Sequence, residues 1–372
     1  MIVKFEPRLL SPNFTQSSMS QKKTPTFAIG GRPIGTGHQT YIIAEISANH
    51  NQNIDEAIEL IEIAANCGAD AVKIQTYTPD TMTIDCDREH FVIGKGSPWT
   101  GRNLYELYGE AYTPWEWLPN LQTAATDAGI TLFSTPFDKT SVDFLEKHEV
   151  PAHKIASFEL TDHPLLREVA KTEKPVILST GMASFLEIAE AVAVLRSNGC
   201  DQLALLKCTS AYPAPAEESN LARIPHMRDA FHAVTGLSDH TMGSLVPALA
   251  VSLGASIIEK HFTKSRQVEG PDSSFSLEPS ELKEMVEAVR ISEQAIGQVT
   301  YNLTEKENNS RVFRRSLFAV QDIEAGEFFS QKNVRVIRPG NGLDPKHADD
   351  IWKRKASKHI TRGTPLSWEL ID

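Results

Sequence analysis

YIIAEIS (41–47), AVKIQTY (71–77), TLFSTPF (131–137) and HKIASFEL (153–160) open a rhythm that PVILSTG (175–181), LALLKCTS (203–210), AVTGLSDHT (233–241) and SIIEKHFT (256–263) complete. Each is a short run rich in β-branched or aliphatic residues that ends in polar ones, the mark of a strand emerging from a core. Between them lie helical patterns. IDEAIELIEIAANCG (54–68) sets Ile54, Ile58, Ile61 and Ala65 at helical spacing and ends on Gly68, a C-terminal stop signal. SFLEIAEAVAVLRSNG (184–199) opens with Ser184 and Glu187, the spacing of a capping box. Eight such units in about 250 residues predict a (β/α)8 TIM barrel. A doubly wound open sheet gives the same alternation and stands as the alternative.

The pattern extends outward on both sides. Residues 1–25 are polar and read as a disordered extension, without the apolar core of a signal peptide. Residues 26–300 form the predicted barrel domain and 301–311 a linker. SLFAVQDI, NVRVIRPGNG and HITRGTPLSWELI then predict a small, mostly β domain over 312–372. Thr78 to Thr113 is long for a strand-to-helix loop. It contains GKGSPWTGRNLYELY (94–108) and reads as a lid or substrate loop.

Composition narrows the function. Over 372 residues, 37 Lys and Arg face 48 Asp and Glu, a net charge of −11. That balance argues against a nucleic-acid partner, because such binders neutralise phosphates. No apolar run is long enough to span a membrane. Four cysteines without CxxC spacing suit a reducing cytoplasm.

Active sites of barrels lie at the C-terminal strand ends. Here those ends carry Glu45, Ser47, Asn49 and His50, then Lys73 and Gln75, then Ser134 and Thr135. Lys154 and Ser157, Ser179 and Thr180, and Lys207 and Thr209 follow. The last two strands bring Ser238, Asp239 and His240, and Glu259 and His261. A lone polar strand end is usually a cap. Several lysines ringed by hydroxyls suit a phosphate or phosphate–carboxylate ligand. His240 and His261 fall on neighbouring strands, where two imidazoles with open positions suit Mn²⁺, Co²⁺ or Zn²⁺. Two unrelated hydrogen-bonded histidines are the alternative. Closure of the barrel brings Glu45 beside them as a general acid/base or an orienter of water.

AEISANHN, VKIQTY, STPFD, HKIAS, ILSTGM, CTSAYP, GLSDHT, EKHFT, GPDSSFSLEP and RPGNG, in this order, resemble the sialic acid synthase family, and within it the pseudaminic branch. The resemblance implies a PEP-condensing synthase, a transferase of the 2.5.1 type, built as a TIM barrel with a C-terminal SAF (antifreeze-like) domain. Its substrates would be phosphoenolpyruvate (PEP) and an open-chain N-acetylated amino sugar. It implies a divalent metal on His240 and His261, Mn²⁺ foremost with Co²⁺ or Mg²⁺ as alternatives. PEP contacts would be Lys73, Thr135, Lys154, Ser157, Ser179 and Ser238. Sugar contacts would be Gln75, Tyr212 and Asp272, with Arg338 supplied across a domain-swapped homodimer. The chain departs from the sialic pattern at Lys207, where the family commonly has His, and at Ser210, where it has Asn. Both are kept as substrate-binding positions. The change at Ser210 removes an amide and implies a different acceptor sugar. That sugar would be 2,4-diacetamido-2,4,6-trideoxy-L-altrose, its deoxy end served by Trp99, Tyr105, Tyr108 and Tyr112. The N-acetylneuraminate and legionaminate precursors stay open, as do a Schiff-base aldolase on Lys154 or Lys73 and a non-catalytic sugar-binding protein.

Overall fold

The computed structural model describes residues 25–96 and 98–372, so the disordered extension expected over 1–25 lies almost wholly outside the described residues. The chain divides into two compact units between Gly297 and Gln298.

The first unit is a closed parallel barrel. Its strands are preceded by a hairpin of β1 (Thr26–Ile29) and β2 (Arg32–Gly35). The staves are β3 (Tyr41–Glu45), β4 (Ala71–Thr76), β5 (Thr131–Pro136), β6 (His153–Ile155), β7 (Val176–Ser179), β8 (Leu203–Cys208), β9 (Val234–Asp239) and β10 (Ile257–His261). They follow one another in chain order and β10 closes onto β3, which rules out the open sheet. All eight predicted strands are present.

Side chains alternate along each strand. Tyr41, Ile43, Ala71, Phe133, Ile177, Ala204, Leu206, Val234 and Ile257 pack together inside the barrel. Their neighbours Ile42, Val72, Leu237 and Ile258, and on the opposite side Leu178, Leu203 and Leu205, pack outward against the helices. The hairpin, which sequence reading did not foresee, inserts Phe27, Ile29 and Ile34 into the interior cluster. It stops the end of the barrel where the strands begin.

The helix Ile54–Asn66 ends as expected, with Gly68 at a φ of 89°. Its buried stripe is Ala57, Leu60, Ile61 and Ala64, so Ile54, Ile58 and Ala65 sit at its flanks. Ser184 and Glu187 form the expected capping box on the helix Phe185–Ser197. Between β4 and β5 the chain makes its long excursion, with helices at Pro79–Met82 and Leu104–Ala111.

The second unit pairs β11 (Ser316–Ala319) antiparallel with β12 (Val334–Ile337). Leu317, Ile323, Phe329, Val334, Ile351, Ile360 and Leu366 form its core. A capped helix, Glu305–Ser310, occupies most of the stretch read as a linker.

Candidate active site

Register assembles the site. Glu45, last on β3, lies opposite His261 of β10 and Lys73 of β4. Glu259 lies opposite Ser238. All five face inward, since they share parity with the interior cluster. The strand ends therefore deliver charge to one cavity of about 440 Å³, within the usual range for small-molecule sites. Its floor includes Glu45, Lys73, Lys154, Ser179, Cys208, Ser238, His240, Glu259 and His261.

The floor is a buried network. Lys73 pairs with Glu45, lies 3.7 Å from Glu259 and donates to Thr135 Oγ1 at 3.2 Å. Lys154 donates to Ser179 Oγ at 2.7 Å and lies 3.7 Å from Glu259. Ser238 donates to Glu259 at 3.1 Å. The two carboxylates diverge. Burial pushes Glu45 up to about 7 despite Lys73. Burial also acts to raise Glu259, but Lys154 and Lys73 outweigh it and hold that carboxyl below its ordinary value. Two carboxyls with separated titration suit one proton-handling and one permanently charged role. Burial lowers Lys154, whereas Glu259 and Glu45 overcome burial to raise Lys73.

His240 and His261 stand with ring centroids 5.3 Å apart. His240 Nδ1 donates to the Thr209 carbonyl at 2.8 Å, which directs Nε2 as the free nitrogen. Burial acts to lower this imidazole, but Cys208 and that carbonyl outweigh it and raise it above its ordinary value. Burial, then His240, keeps His261 well below the ordinary imidazole value, hence neutral. Its Nδ1 is buried, has no hydrogen-bond partner and lies 3.8 Å from Asp272 Oδ2. These imidazoles fit a borderline divalent cation. Among the described residues no cluster of three or more His, Cys, Asp or Glu accompanies them.

Tyr212 packs on the site, its ring centroid 4.3 Å from that of His240. Gln75 donates to Ser47 Oγ at 2.8 Å, and both line the cavity together with Ser157, Tyr212 and Asp272. The long excursion supplies the outer wall with Met82, Ile93, Trp99, Leu104, Leu107 and Tyr108. Trp99 donates to the Pro271 carbonyl at 2.8 Å. Tyr105 instead bonds Asp80, and neither it nor Tyr112 lines the cavity.

Some named residues lie elsewhere. Thr135 reaches the network only through Lys73. Ser210 sits behind the wall, its Oγ 3.7 Å from Cys208 Sγ. Lys207 faces away. It shares parity with Leu203 and Leu205 of the outer layer and donates to the Cys208 carbonyl at 2.9 Å. Its neighbour Cys208 faces the cavity, 4.0 Å from His240 Nδ1. Arg338 is exposed and belongs to the second unit. Glu159, which sequence reading passed over, also lines the cavity. Burial pushes it up to about 7 against the pull of Lys154, and its Oε2 is buried with no hydrogen-bond partner. The signal available was a carboxylate two residues beyond Ser157, still on the same strand-end turn.

Comparison with known proteins agrees with this architecture. A model of the NeuB family matches residues 60–301, and a model of the SAF domain matches residues 314–372. Pseudaminic acid synthase of Campylobacter jejuni (serotype O:23/36, strain 81-176) is 46% identical over 331 residues, 89% of this chain and 96% of the relative. Pseudaminic acid synthase of Helicobacter pylori is 42% identical over 332 residues, 89% of this chain and 97% of the relative. The crystal structure of spore coat polysaccharide biosynthesis protein spsE from Bacillus subtilis superposes with a TM-score of 0.64 at 35% identity, covering 94% of this chain and 99% of that one.

Proposed function

The chain belongs to the NeuB family and carries a SAF domain, and from that premise we propose that it makes pseudaminic acid. It condenses PEP with 2,4-diacetamido-2,4,6-trideoxy-L-altrose and water, and releases phosphate. The observation that carries the reading is the convergence of two buried lysines and two adjacent imidazoles on one cavity. Relatives of that printed name at 42 and 46% identity support the choice of sugar.

Lys73 and Lys154 hold the PEP anion, with Ser157 and Ser179 donating hydroxyls, while Ser238 donates its hydroxyl to Glu259 and holds that carboxylate beside the lysines. Gln75, Tyr212, Asp272 and Glu159 face the sugar. C3 of PEP bonds to the aldehyde carbon, and the aldehyde oxygen takes up the proton that Glu45 carries in its protonated form. Water adds to PEP C2 and yields its proton to Glu45, whose carboxyl titrates near neutrality. The C2–O bond to phosphate then breaks, the bonding electrons leave with phosphate, and the C2 hydroxyl passes its remaining proton to that phosphate, which leaves a C2 carbonyl. A divalent cation on His240 and His261, Mn²⁺ in the first instance, would supply Lewis acidity toward the aldehyde oxygen. The proposal includes the domain-swapped homodimer and a role for Arg338 toward the sugar.

One specific observation favours a second reading. Lys154 is lowered by burial, as a Schiff-base nucleophile requires. A single assay separates the two. Purified protein is given PEP, Mn²⁺ and, in turn, the altrose-configured sugar, N-acetylmannosamine or the legionaminate precursor. Phosphate release with the first alone, abolished by EDTA, is expected. Turnover with N-acetylmannosamine alone moves the chain to another branch. Chelator-indifferent turnover with borohydride-trapped protein establishes the aldolase instead.

A further inference from the structure

We propose that Lys260 is a positioning residue that holds His240 and His261 in register through a buried clamp on the outer face of the barrel. The inference rests on the two-histidine site described above.

Lys260 precedes His261 on β10 and Asp239 precedes His240 at the end of β9. The two are direct partners in the parallel ladder. Because side chains alternate, inward histidines force these neighbours outward. They lie on the side of Leu237 and Ile258, in the layer between barrel and helices. Both are buried, at 3% and 1% exposure for Asp239 and Lys260. The Lys260 ammonium pairs with Asp239 Oδ2 at 2.5 Å and also donates to the Thr241 carbonyl. Asp239 Oδ1 accepts from the Thr241 backbone N–H at 3.0 Å, and Oδ2 accepts from its hydroxyl at 3.0 Å.

The residues on either side of His240 are thus tied to one nitrogen, and that nitrogen belongs to the residue before His261. On the inner face the same two strands are also linked by Ser238 and Glu259, but that bond lies two residues before each histidine. The ring of His240 takes its orientation from the Thr209 carbonyl, but that bond forms only if the turn at 239–241 keeps its place. A buried ion pair is a poor source of stability, since apolar substitutes often do as well. Here its geometry matters: it sets the separation of two imidazoles that must meet one ion. Supports of this kind, one bond removed from a ligand, typically govern affinity by about 10- to 100-fold.

The test measures Mn²⁺ binding by EPR, with a thermal melt of each protein alongside. The D239N/K260M variant removes both charges and leaves neither group stranded. It is expected to melt within a few degrees of wild type yet bind Mn²⁺ at least about tenfold more weakly. Affinity equal to wild type in the folded variant overturns the positioning role and leaves the pair purely structural. Should that variant not fold, D239N/K260Q, which also removes both charges and keeps an amide donor for the Thr241 carbonyl, serves the same comparison with the same two outcomes. Wild-type protein that binds no Mn²⁺ fails the two-histidine metal site itself and this inference with it. The two failures are therefore distinguishable.

Discussion

Glu159 shows what a single buried carboxyl contributes. In the unfolded chain it ionises near 4.5, and in the folded protein burial delays ionisation to about 7. Between those values the native state holds a proton that the unfolded state has lost. Stability therefore falls as pH rises through this window, and the full penalty is present above it. E159Q removes the penalty. Its melting temperature should exceed that of wild type by about 3 °C at pH 8 and match it at pH 4. An equal shift at both values would mean that Gln packs better for reasons unrelated to charge. Such residues are hard to read from sequence, because their role depends on what surrounds them. Glu45, Lys73, Lys154, His240 and His261 were legible, since each falls at a strand end and period two brings them to one face. Lys207 was misplaced by one residue, and in a strand one residue is a change of face. Its charge drew attention that belonged to Cys208, which the composition had presented only as a redox marker.

At the scale of elements, the eight staves were legible because each combines a β-branched run with a helix of the right length behind it. The hairpin β1–β2 was not. Its strands have four residues each, too few to display alternation, and they precede the rhythm that drew the eye. Its importance comes from packing. Ile34 is fully buried among Tyr41, Phe133, Ile177 and other interior residues that no helix can reach. Ile34→Ala should cost about 2–5 kcal/mol in urea-induced unfolding, as for other deep cavities. The site lies at the opposite end of the barrel, so kcat per folded molecule should be unchanged. A loss of kcat without a loss of stability would show that the plug is coupled to the catalytic end. The excursion at 78–113 was legible as a substrate loop, but not which of its aromatic side chains point inward. Trp99 and Tyr108 do, while Tyr105 turns to Asp80. A loop has no period from which to deduce a face.

For the whole molecule, charge is unevenly arranged. The chain carries −11 overall, yet the proposed PEP site is built on two buried lysines. A polyanion approaching from afar meets a repelling field, and only at contact does it meet Lys73 and Lys154. Salt distinguishes the two. The Debye length falls from ~30 Å at 0.01 M to ~8 Å at 0.15 M, which screens the distant field far more than the buried pair. Raising ionic strength across this range should therefore increase kcat/KM for PEP, by up to about twofold, while kcat stays level. A protein that steers its anion electrostatically behaves in the opposite way. A steep fall in kcat/KM with salt would mean that exposed basic residues gather PEP before the lysines do. The second unit, with 13 Lys and Arg against 10 Asp and Glu from Gln298 onward, is then where to look for them. Neutralising Arg335 or Lys332 would flatten the salt dependence if they are responsible. It would leave the profile untouched if the barrel's own lysines suffice.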